Sequence, residues 1–215
     1  MPLKRRSFVC LVFGFALSWL GLNSCQPSTP NVPDDAVRIG VIGSLTGDDA
    51  DSGKALVDGA NLAADQVNRE GGLQIGDEQR PIELVIGDTQ STPEGAVEAA
   101  QTLINQEEVV ALVGPQYSRY AIPVARLAEQ SRMPMISPRS TNQETTQGKE
   151  YVFRATFTDG FQGDVIARFV RDSLGSERAA VLYDIASPYN RGLAEVFQQV
   201  FTDSGGTIVA FESYT

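Results

Sequence analysis

The sequence predicts an α/β fold with doubly wound parallel sheets. From Val37 onwards, short apolar runs of strand length alternate with longer segments whose apolar residues recur at helical spacing. The apolar runs tend to end in small, polar or turn-forming residues, as Val37–Ile42 does at Gly43–Gly47. Because successive strands are separated by helices rather than by tight turns, we expect the strands to pair in parallel.

The first part of the chain, up to Ala155, contains most of the predicted elements. The predicted strands are 37–42, 82–86, 109–113, 133–137 and 151–155, and the predicted helices are 54–69, 92–105 and 119–131. The first helix has an inward face of small and apolar residues that would let it lie close to a sheet, namely Leu56, Gly59, Ala60, Ala63, Ala64 and Val67. Gly71 and Gly72 provide its stop signal. Thr92 offers a capping hydroxyl directly before Pro93 at the start of the second helix.

The rest of the chain continues the alternation but contains only two clear strands. We expect a helix capped by Asp159 and ending near Leu174, a strand over 179–183, a helix over 188–203 and a strand over 208–211. Two parallel strands do not form a covered sheet. We therefore expect that the sequence is a fragment of a longer protein, or that this part depends on something the sequence does not contain.

The composition excludes several classes of function. A net charge of −10 argues against nucleic acid or an anionic membrane surface as the partner, because phosphate binding requires clustered Lys and Arg. The chain has no His, which removes the commonest general base and the commonest zinc ligand. Its two cysteines, Cys10 and Cys25, both lie near the amino terminus, so we expect no disulfide and no thiolate chemistry in the folded part.

The sequence also lacks the motifs of common enzymes. The run Gly43–Gly47 has no Gly-Lys-Ser/Thr end and is therefore not a phosphate-binding loop. No Gly-x-Ser-x-Gly elbow precedes a helix. Asp48, Asp49 and Asp51 lack the spacing and the terminal glutamate of a calcium loop, so we predict an exposed acidic turn there. The prediction is a protein that is not an enzyme and uses neither a cofactor nor a metal ion.

The first 25 residues resemble the export signal of a bacterial lipoprotein. Lys4–Arg6 precede the apolar run Phe8–Leu22, which is short for a membrane span and suits a signal core. The run leads to Cys25, as in the lipobox, in which a cysteine becomes the lipidated first residue. Asn23 stands where a small or apolar residue is usual. A membrane anchor that is never cleaved is the alternative, and the paired arginines leave a twin-arginine export route open.

Residues 26–36 separate this signal from the regular pattern. They include three prolines, show no periodicity and contain few apolar residues. This composition is typical of an extended tether that holds a folded domain away from a surface.

Two loops in the first part of the chain form the predicted ligand site. The strands 109–113 and 133–137 end in Gly114–Ser118 and Pro138–Thr141, which are rich in small polar and turn-forming residues. In an open parallel sheet both loops lie at the carboxyl edge, where such folds bind ligands. We expect them to hold a small zwitterion or anion.

The sequence resembles the type I periplasmic solute-binding proteins of the leucine/isoleucine/valine-binding group, which serve ATP-driven amino-acid importers. The resemblance runs from about Val37 to Thr215 and rests on IGVIGSLTG at 39–47, GANLA at 59–63, NREGG at 68–72, VGP at 113–115, ISPRST at 136–141 and YNRGL at 189–193. It implies a two-lobed fold that closes around the ligand, with lobe one at 37–155 and the start of lobe two at 156–215.

The resemblance also implies a ligand site. The serine at the place of Ser118 offers its hydroxyl and amide to the ligand carboxylate, and its position at a helix start agrees with this role. Capping of its own helix is the alternative for Ser118. The place of Thr141 contributes a hydroxyl to the ligand ammonium. The predicted site also includes the neighbouring Tyr117 and Ser140.

The resemblance places three further residues in the implied site, and their possible roles in ligand binding differ. Arg139 stands where a small residue is expected, and its guanidinium could reach a second carboxylate on the ligand or simply point to solvent. Tyr189 matches a lobe-two tyrosine that contacts the ligand on closure, or it is an ordinary loop aromatic. Ser52 stands where relatives often have a bulky aromatic wall, which puts branched-chain aliphatic specificity in doubt.

The predicted function is capture of an amino acid or similar small polar solute by an exported, lipid-anchored binding protein. Its partners would be the membrane permease of an ABC importer and the membrane itself, through the lipid anchor. One alternative is a ligand sensor of the same fold, and urea or short amides are alternative ligands. An exported α/β hydrolase is a third hypothesis, which could rest only on Ser/Lys or Asp chemistry.

Overall fold

The structure is a computed structural model and describes residues 35–215. The predicted export signal, Cys25 and nearly all of the predicted tether lie outside the described residues. The elements, in chain order, are β1 (Val37–Gly43), α1 (Ala50–Arg69), β2 (Leu73–Ile75), β3 (Glu78–Arg80), β4 (Ile82–Asp88), α2 (Pro93–Asn105), β5 (Ala111–Val113), α3 (Ser118–Gln130), β6 (Met135–Ser137), β7 (Val152–Arg154), α4 (Asp159–Arg168), β8 (Arg178–Asp184), α5 (Pro188–Asp203) and β9 (Thr207–Tyr214). A short 3-10 helix covers Gln143–Thr145, and a π-helical turn, Phe169–Ser173, extends α4.

Five parallel strands form the main sheet, in the order β4-β1-β5-β6-β7. The chain steps from β1 outward to β4 and then crosses to β5 on the other side of β1. This reversal creates a switch point between β1 and β5, and ligands of open α/β sheets bind at the carboxyl ends of the strands at such a point. The predicted α/β class with parallel sheets is confirmed.

The core lies on the face of the main sheet that α2 and α3 cover. Its buried residues are Ile42, Ala96, Ala100, Leu103, Val109, Leu112, Tyr120, Ala121, Val124, Ala125, Ala128, Met135 and Val152. Helix α1 packs on the opposite face, against β1 and β4. On that same face Ile136 and Phe153, which pair across β6 and β7, are 40% and 55% exposed. Buried alanines on α2 and α3 belong to this core, and the two helices pack against each other.

A second, two-stranded parallel sheet consists of β8 and β9. Helix α5 packs on both strands, and α4 packs on α5. Hydroxyls cap both helices: Thr158 accepts from the backbone N–H of Phe161, and Ser187 accepts from that of Asn190. None of the helices between residues 35 and 215 combines the length and the apolar content that a membrane crossing requires.

Most predicted elements are found, and the differences are local. The first helix begins at Ala50 rather than near residue 54, and two residues of its predicted inward face, Gly59 and Ala63, are exposed. Thr158 rather than Asp159 caps α4, and the regular helix ends at Arg168 before the π-helical turn. The hairpin of β2 and β3 was not predicted, because it is too short to show an apolar alternation.

Helix α1 approaches the loop after β1 closely at Gly53. Substitution of Gly53 therefore tests how tightly the helix and the loop pack. An added Cβ at Gly53 would lie 1.8 Å from the backbone oxygen of Ser44, so the helix or the loop would have to move. We predict that Gly53→Ala lowers the free energy of unfolding by about 2 kcal/mol, measured by guanidinium titration. Gly59→Ala on the same helix is the control, since no atom lies within 4 Å of its added Cβ. This control should raise stability by about 0.5–1 kcal/mol through helix propensity. Equal effects of the two changes on stability would contradict a tight contact between Gly53 and Ser44.

Candidate ligand-binding site

A cavity of about 460 Å³ opens at the carboxyl ends of β5 and β6 and extends to the first turn of α5. Its volume is in the range of small-molecule sites. The lining residues are Asp49, Gln116, Tyr117, Ser118, Arg119, Arg139, Thr141, Thr156, Phe157, Gln162, Asp184, Ser187, Tyr189 and Asn190. Within residues 35–215, no group of three or more Cys, Asp or Glu side chains is arranged to hold a metal ion. The many polar side chains of the lining suit the binding of a polar organic molecule.

Buried hydroxyls connect the loop after β5 with the loop after β6. Ser140 Oγ donates to Ser118 Oγ over 3.0 Å and lies 2.7 Å from Thr145 Oγ1. Because Ser140 has one hydroxyl proton and gives it to Ser118, Thr145 must be the donor of the second bond. Ser118 Oγ also accepts from the backbone N–H of Asn142 at 3.4 Å. Both bonds to Ser118 use its lone pairs, so its own proton remains available to a ligand in the cavity.

The first turn of α3 gives the cavity a positive end. Tyr117 occupies the N-cap position and makes no side-chain capping bond, and Ser118 is the first helical residue. Ser118 thus does not cap its own helix, which was the alternative role for this residue. Within the described residues, the backbone N–H groups of Ser118 and Arg119 donate to no protein acceptor. Free N–H groups and the helix dipole at such a terminus attract an anion.

The other predicted site residues on the main-sheet side fall into two groups. Tyr117, Arg139 and Thr141 line the cavity, and Thr141 is only 8% exposed. Ser140 does not line it, because its hydroxyl is engaged by Ser118 and Thr145. Ser52 does not line it either: its hydroxyl receives a hydrogen bond from Gln116 Nε2 at 3.3 Å, and Gln116 forms the wall instead.

Arg119 and Asp49, which both line the cavity, form an ion pair with each other. Arg119 Nη2 and the Tyr120 hydroxyl both donate to Oδ2 of Asp49. Burial, together with the Asp49 acceptor, raises the pKa of Tyr120 to about 12, so this phenol stays protonated at neutral pH. Asp49 has a side-chain exposure of 15% and is thus not part of an exposed acidic turn, contrary to the sequence prediction. The error arose because its partners lie about 70 residues away in sequence.

The far wall of the cavity comes from the segment after β7 and from the start of α5. Tyr189 lines the cavity as predicted, and its hydroxyl accepts from Gln162 Nε2 at 3.2 Å. Asn142 Nδ2 donates to the backbone oxygen of Pro188 at 2.9 Å, which ties the loop after β6 to the start of α5. The two predicted halves of the site therefore face the same cavity.

Several lining residues were not predicted. Gln116 lies in the predicted site loop after β5 but was not singled out, Asp184 is the last residue of β8, and Asn190 lies in the first turn of α5. These positions are the only signal the sequence offers for them. Gln116 is 4% exposed, and its Oε1 has no hydrogen-bond partner among the described residues. An unpaired buried acceptor of this kind favours a ligand or water that donates to it.

Asp159 is a second buried group that the sequence did not point to as functional. It is 2% exposed, and neither carboxyl oxygen has a hydrogen-bond partner among residues 35–215. Burial raises the pKa of Asp159, while the nearby Thr141 side chain and the charge of Arg154 oppose this. Its backbone N–H donates to the Thr141 oxygen at 2.8 Å, so the start of α4 is fastened to the site loop.

The family follows from the sequence of residues 36–215, which match the family described as periplasmic binding protein. The chain belongs to this family, and the resemblance drawn from the motifs is confirmed. Leu/Ile/Val-binding protein homolog 3 of Brucella melitensis biotype 1 is 31% identical over 180 residues, covering 83% of this chain and 47% of that protein. The amino acid binding protein of Pseudomonas aeruginosa is 32% identical over 180 residues, with the same coverage.

Solved structures agree with this assignment. The branched-chain amino acid transporter substrate binding protein LivJ from Streptococcus pneumoniae, solved in complex with isoleucine, is 33% identical. It matches with a TM-score of 0.75 over 84% of this chain and 50% of that one. The chain thus spans about half the length of the curated relatives it matches. These relatives are named as binding proteins rather than enzymes, in agreement with the prediction.

Asp88, at the end of β4, holds the loop that carries Asp49 to the cavity. Its carboxylate accepts from the backbone N–H groups of Leu45, Thr46 and Gln90 and from the Thr46 hydroxyl. Burial alone would raise the pKa of Asp88, but these hydrogen bonds hold it below its ordinary value. A carboxyl with a depressed folded-state pKa stabilises the fold above its unfolded pKa, at roughly pH 4, and loses this contribution as the pH falls further.

We predict that Asp88→Asn lowers the free energy of unfolding at pH 7 by about 1–3 kcal/mol, because charge-assisted hydrogen bonds are lost. The difference from the wild type should shrink as the pH falls from about 5 to 2, since the wild-type carboxylate is then protonated as well. Chemical unfolding of both proteins at several pH values measures this difference in the free energy of unfolding. Asp58→Asn, an exposed position on α1, makes the same charge change and should have little effect. A constant difference at all pH values would refute the role of the Asp88 charge.

Proposed function

We propose that the protein binds the carboxylate of an amino acid or a similar small polar solute and delivers the solute to the permease of an ABC importer. The observation that carries this proposal is the Ser118 hydroxyl. It accepts from Ser140 and Asn142, so it has a proton to donate beside two free N–H groups at the start of α3. These donors suit one carboxylate, and none of them requires chemistry on the ligand.

The remaining parts of the proposed site follow from the same cavity. Thr141 would accept from the ligand ammonium, and Tyr189 would cover the ligand from the other side. Lobe one, 37–155, and the segment 156–215 would approach each other by hinge closure when the ligand binds. The names of the relatives support an amino acid as ligand, because they bind leucine, isoleucine, valine or amino acids in general.

We predict that Ser118→Ala weakens amino-acid binding about tenfold to hundredfold, the loss expected for one hydrogen bond to a charged group. Isothermal titration of the full-length protein with a panel of amino acids and short amides measures this. Ser131→Ala at the other end of α3 is the control, since Ser131 is exposed and does not line the cavity. Absence of binding across the whole panel would refute the proposed function. Equal affinities of the two variants would refute the role of Ser118.

We also propose that the protein acts outside the cytoplasm, on the periplasmic side of the cell membrane, and is anchored there by lipid on Cys25. Palmitate fed to expressing cells should label the wild type. Cys25→Ser should not be labelled and should be released from the membrane fraction, because a lipid chain provides the binding energy for the bilayer. Cys10→Ser, within the predicted signal core, is the control and should keep the label. Labelling that does not depend on Cys25 would exclude the anchor.

A further inference from the structure

The cavity wall is unsuited to an aliphatic side chain. Among the described residues that line it there is no Ala, Val, Leu, Ile or Met, and Phe157 is the one purely hydrocarbon side chain. Gln116 and Arg139 line the same cavity as Ser118, the proposed carboxylate-binding group. Burying a branched aliphatic group against amide and guanidinium groups gains little hydrophobic free energy and desolvates polar atoms. The ligand side chain that fits this wall is therefore polar.

The charges on the wall indicate the sign of that side chain. Four ionisable Asp and Arg residues line the cavity: Asp49, Arg119, Arg139 and Asp184. Asp49 and Arg119 pair with each other. Arg139, within residues 35–215, forms neither a salt bridge nor a hydrogen bond through its side chain, and its guanidinium lies 5.5 Å from the centre of the Tyr117 ring. One positive charge on the main-sheet side of the cavity is thus left without an anion.

We propose that Arg139 determines specificity by binding a second carboxylate, so that the ligand is an acidic amino acid. This inference rests on the proposed function. The first turn of α3 receives the α-carboxylate, and Arg139 receives the side-chain carboxylate. Asp184, on the wall formed by the second sheet, supplies the negative charge that the ammonium requires. The three charged groups of an acidic amino acid thereby each have a partner of opposite sign.

The geometry of arginine makes this pairing selective. A guanidinium presents parallel N–H donors that match both oxygens of a carboxylate, and stacking on Tyr117 limits the orientations that the side chain adopts. The Arg139 side chain is exposed, so water solvates it when the cavity holds no ligand. A neutral ligand would displace part of this water without providing an anion, which costs affinity.

The test compares glutamate with glutamine by isothermal titration of the full-length protein, because the two ligands differ in charge and hardly in size. The wild type should bind glutamate about 10- to 100-fold more tightly than glutamine, and more tightly than leucine. Arg139→Gln should abolish this preference by weakening glutamate binding, with glutamine binding nearly unchanged. Arg139→Lys keeps the charge but loses the paired donors, so it should retain a reduced preference.

The control is Arg132→Gln, which removes an exposed arginine at the opposite end of β6, away from the cavity. It should leave both affinities unchanged. Wild-type preference for leucine or glutamine over glutamate, or an equal preference in Arg139→Gln and the wild type, would overturn the assignment of Arg139. The proposed function would survive that result, since an amino acid would still be bound. A wild type that binds no amino acid would refute both.

Discussion

The directional chain of hydroxyls from Thr145 through Ser140 to Ser118 is the constraint on which the site depends. Each hydroxyl has one proton, so the two bonds that Ser118 accepts leave it as a donor towards the cavity. The chain is buried, which strengthens its bonds and makes an unpaired member costly. The Ser118 side chain is therefore oriented before any ligand arrives. Binding a ligand then costs little conformational entropy of this side chain.

A hydrogen bond between two buried hydroxyls also joins the loops after β1 and β4. Ser44 Oγ and Thr89 Oγ1 lie 2.7 Å apart, and both residues are fully buried at the ends of β1 and β4. Hydroxyl pairs thus join loops that follow adjacent strands, at the carboxyl edge of the sheet. The loop after β1 is held in addition by Asp88, and it brings Asp49 to Arg119. The loops on the main-sheet side of the cavity are therefore bonded to one another and not only to their own strands.

This dependence on contacts between loops explains what the sequence could and could not reveal. The start and the cap of helix α2 were predicted correctly, because Thr92 and Pro93 act locally. Ser118 and Thr141 were placed in the site because their loops follow strands of a parallel sheet, whereas Tyr189 was included only because of the family resemblance. The pairing of Asp49 with Arg119 and of Ser140 with Thr145 could not be read from the sequence, since neither partner is marked by a local pattern. The inward face of α1 was also predicted too broadly, because periodicity shows which residues share a face but not how much of it another element covers.

Two arginines close to the Tyr117 ring show how a shared scaffold can acquire a specificity of its own. Arg119 and Arg139 lie 5.4 Å and 5.5 Å from the centre of that ring, yet among residues 35–215 only Arg119 has an acidic partner. Attraction to an aromatic face supports a guanidinium but does not neutralise it. On the proposed function, the backbone of α3 and the Ser118 hydroxyl would bind any α-carboxylate and would not distinguish one amino acid from another. Discrimination must then come from side chains that the fold does not require, and Arg139 is such a residue because its exposed guanidinium forms none of the hydrogen bonds that hold the loops together.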